Sequence, residues 1–411
     1  MSGAGGGVTT ARGVKTEKIE LARAIGRDLA ADIEKQGVYV SPHVHGIKVQ
    51  DDGKSVHFDL DDGADGADAR AKMEKFLHDM VQKFRALTRK VLAEHSRTVA
   101  RPLERGVYEE LKRRRWVLEL GRGQVGLAGP ALALVRTLDE ECAAIGKGQF
   151  GAVDQTYPAL IPASVLGRCG YFASFPQAVS MVAHLVEDYD LIEEFRQANA
   201  TSPELTIPNP GALPTPEACL VPAVCYHCYQ SLEGQTLGER GHLVTSMGKC
   251  FRYESSNIVG LDRLWDFTMR EIIFVGGEAL VTAHRQRAMD AVVDQLARWD
   301  LDGAIETAND PFFPTTYGAK TYWQVRSDLK FELRLAIEPS ASGEARTLAC
   351  GSFNLHENFF GKTFGITAAN GEPAFTGCVG WGLERWVLAC FTQHGYEPSN
   401  WPEWLRDRLF G

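Results

Sequence analysis

The chain has 411 residues, 44% of them hydrophobic, which is enough to bury a large core and predicts two domains. No apolar run reaches the roughly 18 residues that a membrane span needs, which argues against a membrane protein. The net charge of −9 is uneven, because residues 1–115 carry 22 Lys and Arg against 18 Asp and Glu, whereas the remainder carries 22 against 35.

The start of the chain and the cysteine content bear on the cellular compartment. Residues 1–13, MSGAGGGVTTARG, lack the apolar core of a signal peptide and are predicted to be a disordered lead-in. Nine cysteines, an odd number, argue against a disulfide framework. Reduced thiols, a few of them metal ligands, predict a cytoplasmic protein.

The next section predicts a small α-β-β-α accessory domain over residues 14–114. Apolar residues recur at helical spacing over 19–33 and again over 73–91. Between them, His45–Val49 and Ser55–Leu60 alternate around the turn sequence DDGK, which predicts a hairpin. The unit carries no catalytic motif. The slight excess of basic residues suggests either contact with an acidic partner or an ordinary solvated helical surface.

Residues 115–411 predict an α+β domain. A helix is expected at Pro130–Ile145 and another at Pro176–Val186. From Ala218 onward strand-like runs dominate, with helices set between them, which favours an antiparallel sheet flanked by helices. The strand-like runs are Glu271–Val275, Tyr322–Val325, Leu329–Ile337 and Thr347–Leu355, and the helices lie near Leu280–Trp299 and Leu383–Phe391.

The stretch CFRYESSNIVGLDRLWDFTMREII combines the groups that an ATP site needs. Arg252 and Glu254 stand at the end of one predicted strand, and Arg263, Phe267 and Glu271 follow at intervals of four. Arg binds phosphate bidentately, an aromatic ring stacks on adenine, and a carboxylate accepts from its amino group. Cross-strand charge pairing on a surface hairpin is the commoner explanation of such a pattern by itself.

The stretch resembles motif 2 of the class II aminoacyl-tRNA synthetases. Gly380-Trp381-Gly382-Leu383-Glu384-Arg385 resembles their motif 3, a glycine-rich strand that leads into a helix carrying an Arg. Pro130–Pro162 is similar, more loosely, to motif 1, the dimer-interface helix and strand. The resemblance implies the class II catalytic core and a homodimer.

Three further stretches narrow the resemblance to one branch: GYFASFPQ (170–177), LVPAVCYHCY (220–229) and FRYESSNIVGLDRLWDFTMREIIFVG (251–276). They resemble the zinc-dependent seryl-tRNA synthetases of methanogens and, more closely, the amino acid:[carrier protein] ligases. The similarity covers residues 115–411.

That branch implies a catalytic zinc, held by Cys225, Glu271 and Cys378, whose fourth ligand is the α-amino group of the substrate. Spacing alone favours a local cluster of Cys219, Cys225 and Cys228, and buried cysteines without metal are commoner still. Cys228 is the rival for the first ligand.

The resemblance also implies the nucleotide and amino-acid contacts. Arg252, Glu254 and Arg385 are the expected catalytic residues, and Glu254 and Asn354 the expected contacts to the amino acid. The expected ATP-binding residues are Arg252, Glu254, Arg263, Leu264, Phe267, Lys330, Ala349, Cys350, Gly351, Ser352 and Arg385. Mg²⁺ is expected with ATP, although the acid that many class II enzymes carry near Leu348–Ala349 is missing here.

The implied reaction is ATP-dependent activation of a small amino acid to an aminoacyl-adenylate. The acyl group then passes to the phosphopantetheine thiol of an acidic carrier protein. The alternatives are charging of tRNA by a seryl-type synthetase and a non-catalytic binding or regulatory protein. A carrier protein is favoured over tRNA because about 115 residues precede the core and their net charge is only +4.

Overall fold

The computed structural model describes residues 13–83, 90–201, 203–255, 258, 260–308, 329–340, 343 and 345–411. The chain divides into two compact units: residues 1–88 with 254–259, and residues 89–253 with 260–411. The predicted boundary after residue 114 differs from this division. The difference arises because strand Val91–His95 pairs within the large sheet of the second unit and the buried side chains of helix Val107–Arg113 join its core.

The first unit is a three-stranded antiparallel sheet with two helices. Its elements are β1 (Val14–Glu20), α1 (Arg27–Gly37), β2 (Val44–Val49), β3 (Ser55–Asp61) and α2 (Ala64–Lys83). The strand order is β1-β3-β2, and the predicted hairpin of β2 and β3 is present. The predicted first helix was wrong at its start, since residues 14–20 pair with β3 as a strand and the helix begins only at Arg27.

The second unit contains the elements of a larger α+β fold. Its strands and helices are β4 (Val91–His95), α3 (Val107–Arg113), β5 (Val117–Gly121), β6 (Gln124–Leu127), α4 (Gly129–Phe150), β7 (Val153–Asp154), β8 (Leu160–Pro162), α5 (Ala163–Arg168), α6 (Tyr171–Ser174), β9 (Met181–Val182), α7 (Tyr189–Ala198), β10 (Ala218–Leu220), α8 (Cys225–Ser231), β11 (His242–Phe251), β12 (Asp266–Gly276), α9 (Glu278–Trp299), β13 (Gly303–Thr307), β14 (Lys330–Ile337), β15 (Arg346–Glu357), α10 (Phe359–Phe364), β16 (Phe375–Gly382), α11 (Leu383–His394) and α12 (Glu403–Phe410). None of the helices in the described parts of the chain is long and apolar enough to cross a membrane.

An eight-stranded sheet organises this unit, in the order β4-β13-β14-β15-β16-β12-β11-β7. Every pairing is antiparallel except that of β7 with β11. Alternate residues of β12 and β16 point to opposite faces. Ile272 and Trp381 join a core that includes residues of α4, α9 and α11, whereas Ile273 and Cys378 join a second core with α5, α8 and α10.

Two other predicted elements differ from the structure. Residues 176–186 do not form a helix but contain a short 3₁₀ turn at Pro176–Ala178 and then β9. Pairing of Met181 with Cys219 of β10 draws this segment into a small sheet, which local helical preference does not anticipate. The predicted strand Tyr322–Val325 lies outside the described residues.

Candidate active site

The hairpin of β11 and β12 carries the residues that predict an ATP site. Phe251 pairs with Asp266 at the loop end of this hairpin, so Arg252 leaves β11 where Phe267 enters β12. The Arg252 guanidinium lies 5.3 Å from the centre of the Phe267 ring, and its Nε donates to the Pro222 carbonyl at 3.0 Å. The cation therefore lies over the aromatic face, so a positive charge and an aromatic ring are close together at this end of the hairpin.

Three buried side chains from distant parts of the chain converge farther along the same hairpin. Cys225 begins α8, Glu271 lies in β12 and Cys378 in the neighbouring strand β16. Their potential ligand atoms all lie within 4.8 Å of one another. Cys378 pairs with Ile273, so it is the diagonal same-face neighbour of Glu271.

The residue opposite Glu271 on β16 is a glycine against which Met269 packs. Gly380 is the direct cross-strand partner of Glu271. A Cβ at Gly380 would lie 2.7 Å from Cε of Met269 and 3.5 Å from Cγ of Glu271. A side chain at this position would therefore need the end of Met269 to move, while its contact with Glu271 would be an ordinary one.

Burial and hydrogen bonds set the electrostatics of the cluster. Burial raises the pKa of Glu271, while hydrogen bonds from the Cys225 thiol and the backbone N–H groups of Val224 and Cys225 oppose the shift. The two N–H groups donate to its oxygens at 3.1 and 3.2 Å. The hydrogen bond with Cys378, together with burial, raises the pKa of the Cys225 thiol well above its usual range. Carboxylates this deeply buried are normally paired or coordinate a metal.

The rival thiols lie elsewhere. Cys228 is fully buried one turn along α8, where it hydrogen-bonds with Tyr157, and burial raises its pKa to about 12. Cys219 is buried in β10. In the parts of the chain that the structure describes, the group of Cys225, Glu271 and Cys378 is the only one that brings three potential metal ligands together.

Asn354 borders the cluster on the next strand. It pairs with Cys378 across β15 and β16, and its Nδ2 lies 3.4 Å from the Cys378 Sγ and 3.1 Å from the Ser352 hydroxyl. Its Oδ1 is buried and accepts no hydrogen bond from any described residue. An acceptor buried in this way is costly unless something donates to it, so it is suited to bind a polar ligand.

Motif 3 places Arg385 near motif 2. Gly382 precedes α11, and Arg385 follows in its first turn. The guanidinium of Arg385 donates from Nε to the Asp262 carbonyl at 2.7 Å and from Nη1 to the Ala349 carbonyl at 2.8 Å. These bonds fix Arg385 between the start of the motif 2 return strand and β15.

Other predicted ATP-binding residues occupy β14, β15 and the approach to β12. Lys330 pairs with Glu332 at 3.1 Å, and Leu264 is buried. Arg263 is half-buried just before β12, and Glu254 is half-buried in the segment that belongs to the first compact unit. Three further predicted ATP-binding residues lie in β15. Cys350 is buried, Gly351 pairs with Trp381 and Ser352 pairs with Gly380.

Two residues of the site were not predicted from the sequence. Asp262 holds Arg385 through its carbonyl, and burial raises the pKa of its carboxyl group. Ser246 is the cross-strand partner of Glu271, and its buried hydroxyl has no hydrogen-bond partner among the described residues. Recognition of β11 as a strand would have placed Ser246 next to Glu271. His356 is buried between Tyr229 and Thr376, and burial lowers its pKa to about 3.

Known proteins are similar in sequence to most of this chain. The chain is 33% identical over 281 residues to amino acid–[acyl-carrier-protein] ligase 1 of Bradyrhizobium diazoefficiens, an alignment that spans 67% of this chain and 83% of the relative. The chain belongs to the amino acid–[acyl-carrier-protein] ligase family. Ligase 2 of the same organism is 34% identical over 254 residues, which are 62% of this chain and 73% of that relative. No protein-family model matches.

This ligase is also related to seryl-tRNA synthetases. Type-2 serine–tRNA ligase of Methanopyrus kandleri is 27% identical over 314 residues, which cover 74% of this chain and 60% of that relative. A crystal structure of the M. kandleri seryl enzyme with Aquifex aeolicus tRNASec covers 96% of this chain and 77% of its own, with a TM-score of 0.69 at 23% identity. The predicted class II synthetase fold is thus confirmed, and the ligase is an enzyme.

Proposed function

We propose that this ligase activates a small amino acid with ATP and transfers it to the phosphopantetheine thiol of an acidic carrier protein. The observation that carries the proposal is the convergence of Cys225, Glu271 and Cys378 within 4.8 Å, next to the unsatisfied Oδ1 of Asn354. Membership of the carrier-protein ligase family supports the choice of acceptor.

The donor set fits a zinc ion. Two thiols and one carboxylate are ligands that zinc accepts, and three protein ligands are typical of a catalytic rather than a structural zinc. When bound, the ion would offer a fourth position to the α-amino group of the substrate. The buried Oδ1 of Asn354, next to the metal ligands, would then accept a hydrogen bond from the substrate. This arrangement favours amino acids over acids that lack the amine.

The arginines would bind the phosphates of ATP. Arg252 would lie at the α-phosphate, Arg263 and Arg385 at the outer phosphates, and Phe267 against adenine, with Glu254 beside adenine and the amino acid. The other nucleotide contacts proposed are Leu264, Lys330, Ala349, Cys350, Gly351 and Ser352. Mg²⁺ would accompany ATP.

Two displacements complete the reaction. In the first, a carboxylate oxygen of the amino acid bonds to the α-phosphorus, and the bond to the bridging oxygen breaks to release pyrophosphate. In the second, the carrier thiolate bonds to the acyl carbon and AMP leaves with the C–O electron pair. Fixed positive charge at the phosphates and exact positioning of the carboxylate would supply most of the rate.

A homodimer is proposed as well. Val153 on the edge strand β7 is 57% exposed, so an apolar side chain lies on an open strand edge. Light scattering should give twice the chain mass of 45.2 kDa. A mass of one chain at micromolar concentration would contradict the proposal.

ATP–pyrophosphate exchange with a panel of amino acids tests the activation step. Exchange should be supported by one or a few small amino acids and should not be supported by the matching acids without the α-amino group. Removal of metal with a chelator should abolish exchange, and zinc should restore it. Exchange that is absent with every amino acid, or that persists at full rate after metal removal, would overturn the proposed chemistry.

A further inference from the structure

One aspartate of motif 2 lies among arginines from different parts of this ligase. Nη2 of Arg346, in β15, is 3.9 Å from Oδ2 of Asp262, and Nε of Arg385, in α11, donates to the carbonyl of the same Asp262 at 2.7 Å. Arg263 is its neighbour in sequence. Because both contacts are made to one aspartate, these nitrogens of Arg346 and Arg385 are at most about 12 Å apart. Arg346 therefore lies close to the two arginines proposed for the outer phosphates of ATP.

The contact between Arg346 and Asp262 is a poor ion pair. At 3.9 Å it is too long for a hydrogen bond, whereas Arg270 binds Asp139 through two nitrogens at 2.6 and 2.9 Å. Among the described residues, Asp262 is the only ion-pair partner of Arg346, whose side chain is 45% exposed. A long and half-exposed pair contributes little to stability, so stability does not explain an arginine at this position.

The charges around Asp262 leave this cluster positive. Burial raises the pKa of the Asp262 carboxyl group, although the positive charges of three nearby arginines act to lower it. These are Arg346, Arg385 and Arg263, and the charge of Glu338 acts in the same direction as burial. A carboxylate that is well paired with arginine has a lowered pKa instead. Asp262 is thus a weak counter-ion for three arginines, and the positive charge that remains can bind an anion.

The backbone near Arg346 is held by the large sheet. Arg346 begins β15, and the guanidinium of Arg334 in β14 fixes the next residue. Its Nε donates to the Thr347 hydroxyl at 3.0 Å, and its Nη2 donates to the Thr347 carbonyl at 2.8 Å. Farther along β15, the Ala349 carbonyl accepts from Nη1 of Arg385 at 2.8 Å. Arg346 and Arg385 are therefore connected through β15 as well as through Asp262, and a cation on a fixed backbone loses little freedom when it binds an anion.

We propose that Arg346 binds the β- and γ-phosphates of ATP, together with Arg263 and Arg385, and holds the pyrophosphate that leaves. This inference rests on the proposed function, which assigns the other two arginines to the outer phosphates. Phosphate oxygens carry more negative charge than one buried carboxyl group, and they accept two hydrogen bonds from a planar guanidinium, so they replace Asp262 as the partner of Arg346. A third fixed cation stabilises the charge that develops on the leaving group.

Binding of inorganic pyrophosphate with Mg²⁺ to the full-length enzyme, measured by calorimetry, tests this role directly. Arg346→Ala should raise the dissociation constant about tenfold, as the loss of one hydrogen-bonded charged contact does. Arg346→Lys should raise it less, because lysine keeps the charge and loses only the bidentate geometry. In ATP–pyrophosphate exchange, Arg346→Ala should raise the KM for ATP by a similar factor and leave the KM for the amino acid within about twofold of the wild type.

Asp262→Asn separates a phosphate contact from a role through the ion pair. It should lower the dissociation constant for pyrophosphate, because it removes the carboxylate that competes for Arg346. Weaker binding in Asp262→Asn, equal to that in Arg346→Ala, would show that Arg346 acts only through its ion pair and would contradict the proposal.

Arg408→Ala is the matched control, because Arg408 is 51% exposed and has one ion pair, with Glu140 at 3.1 Å. It should leave pyrophosphate binding and exchange unchanged. No binding of pyrophosphate by the wild type, or an unchanged dissociation constant in Arg346→Ala, would overturn the role of Arg346. Wild-type enzyme that binds pyrophosphate but shows no exchange with any amino acid would instead overturn the proposed function.

Discussion

At the scale of single residues, Glu271 brings a carboxyl group into an otherwise apolar layer of the sheet. Its side chain is 1% exposed and is flanked by Ile273 and Cys378, which belong to the same core. Burial raises its pKa, and only hydrogen bonds and the distant charge of Arg252 oppose the shift. A buried charge is tolerated when it is paired or bound to a metal, so zinc between Glu271 and the two thiols would remove this cost.

Serine substitutions in α8 and β16 test the metal ligands. Cys225→Ser and Cys378→Ser should reduce bound zinc from about one ion per chain to nearly none, measured by elemental analysis, and should abolish exchange. Cys228→Ser is the matched control because Cys228 is equally buried one turn away in the same helix. It should retain both metal and activity. Loss of zinc in Cys228→Ser but not in Cys225→Ser would refute the ligand assignment.

Arg385→Ala tests a phosphate contact. Removal of a group that stabilises charge in the transition state costs about 10²-fold or more in rate, so exchange should fall by at least that factor. The melting temperature should change little, because the side chain bonds only to two backbone carbonyls. Arg408→Ala removes an exposed pair with Glu140 at 3.1 Å and should leave exchange unchanged. Arg385→Ala with full exchange activity would refute the role.

At the scale of elements, helix α4 packs closely on the large sheet at Gly146. It exposes a second glycine, Gly148, two residues farther along. A Cβ at Gly146 would lie 2.9 Å from Cβ of Thr245 and 3.3 Å from Cγ1 of Ile272, whereas at Gly148 it would meet nothing within 4 Å. The spacing between this helix and strands β11 and β12 therefore depends on Gly146.

Alanine at the two glycines should have opposite effects. Gly148→Ala should raise the free energy of unfolding by about 0.5–1 kcal/mol, because alanine loses less backbone entropy in a helix. Gly146→Ala should lower it by about 1–3 kcal/mol through overpacking against the sheet. Denaturant titration of both variants measures the difference. A shift in the same direction for both would contradict the packing of α4 described above.

Elements with a buried face could be predicted from the sequence, and elements without one could not. Helix α4 and strand β14 show regular burial, and β14 alternates between half-buried and buried along its whole length. Strand β1 has only two half-buried residues among seven, so its identity depends on backbone pairing with β3. The 3₁₀ turn and strand at 176–182 likewise depend on partners far along the chain.

The site was predictable only in part for the same reason. Arg252, Phe267 and Glu271 lie in one hairpin, so their spacing reveals a shared site. Cys225 and Cys378 meet Glu271 only because α8 and β16 pack on that hairpin. Spacing alone favoured Cys219 and Cys228, and the family resemblance was needed to choose otherwise.

At the scale of the whole molecule, the distribution of charge distinguishes between the two possible acceptors, a carrier protein and tRNA. The enzyme carries −9 overall, and its basic excess is confined to residues 89–115, which open the catalytic unit. Strong tRNA binding needs many cations, because affinity rises with each phosphate neutralised. A small acidic protein that delivers a thiol needs only a local basic surface. The charge distribution thus agrees with the family relationship to carrier-protein ligases.

A side-by-side transfer assay tests the central proposal most directly. Wild-type enzyme, ATP and the labelled amino acid that supports exchange are incubated with total tRNA and a holo carrier protein from the same organism. Label should appear on the holo carrier, be released by hydroxylamine as expected for a thioester, and be absent from the apo carrier, which lacks the thiol. Efficient labelling of tRNA with none on the holo carrier would contradict the proposal and make the protein a compact seryl-type synthetase.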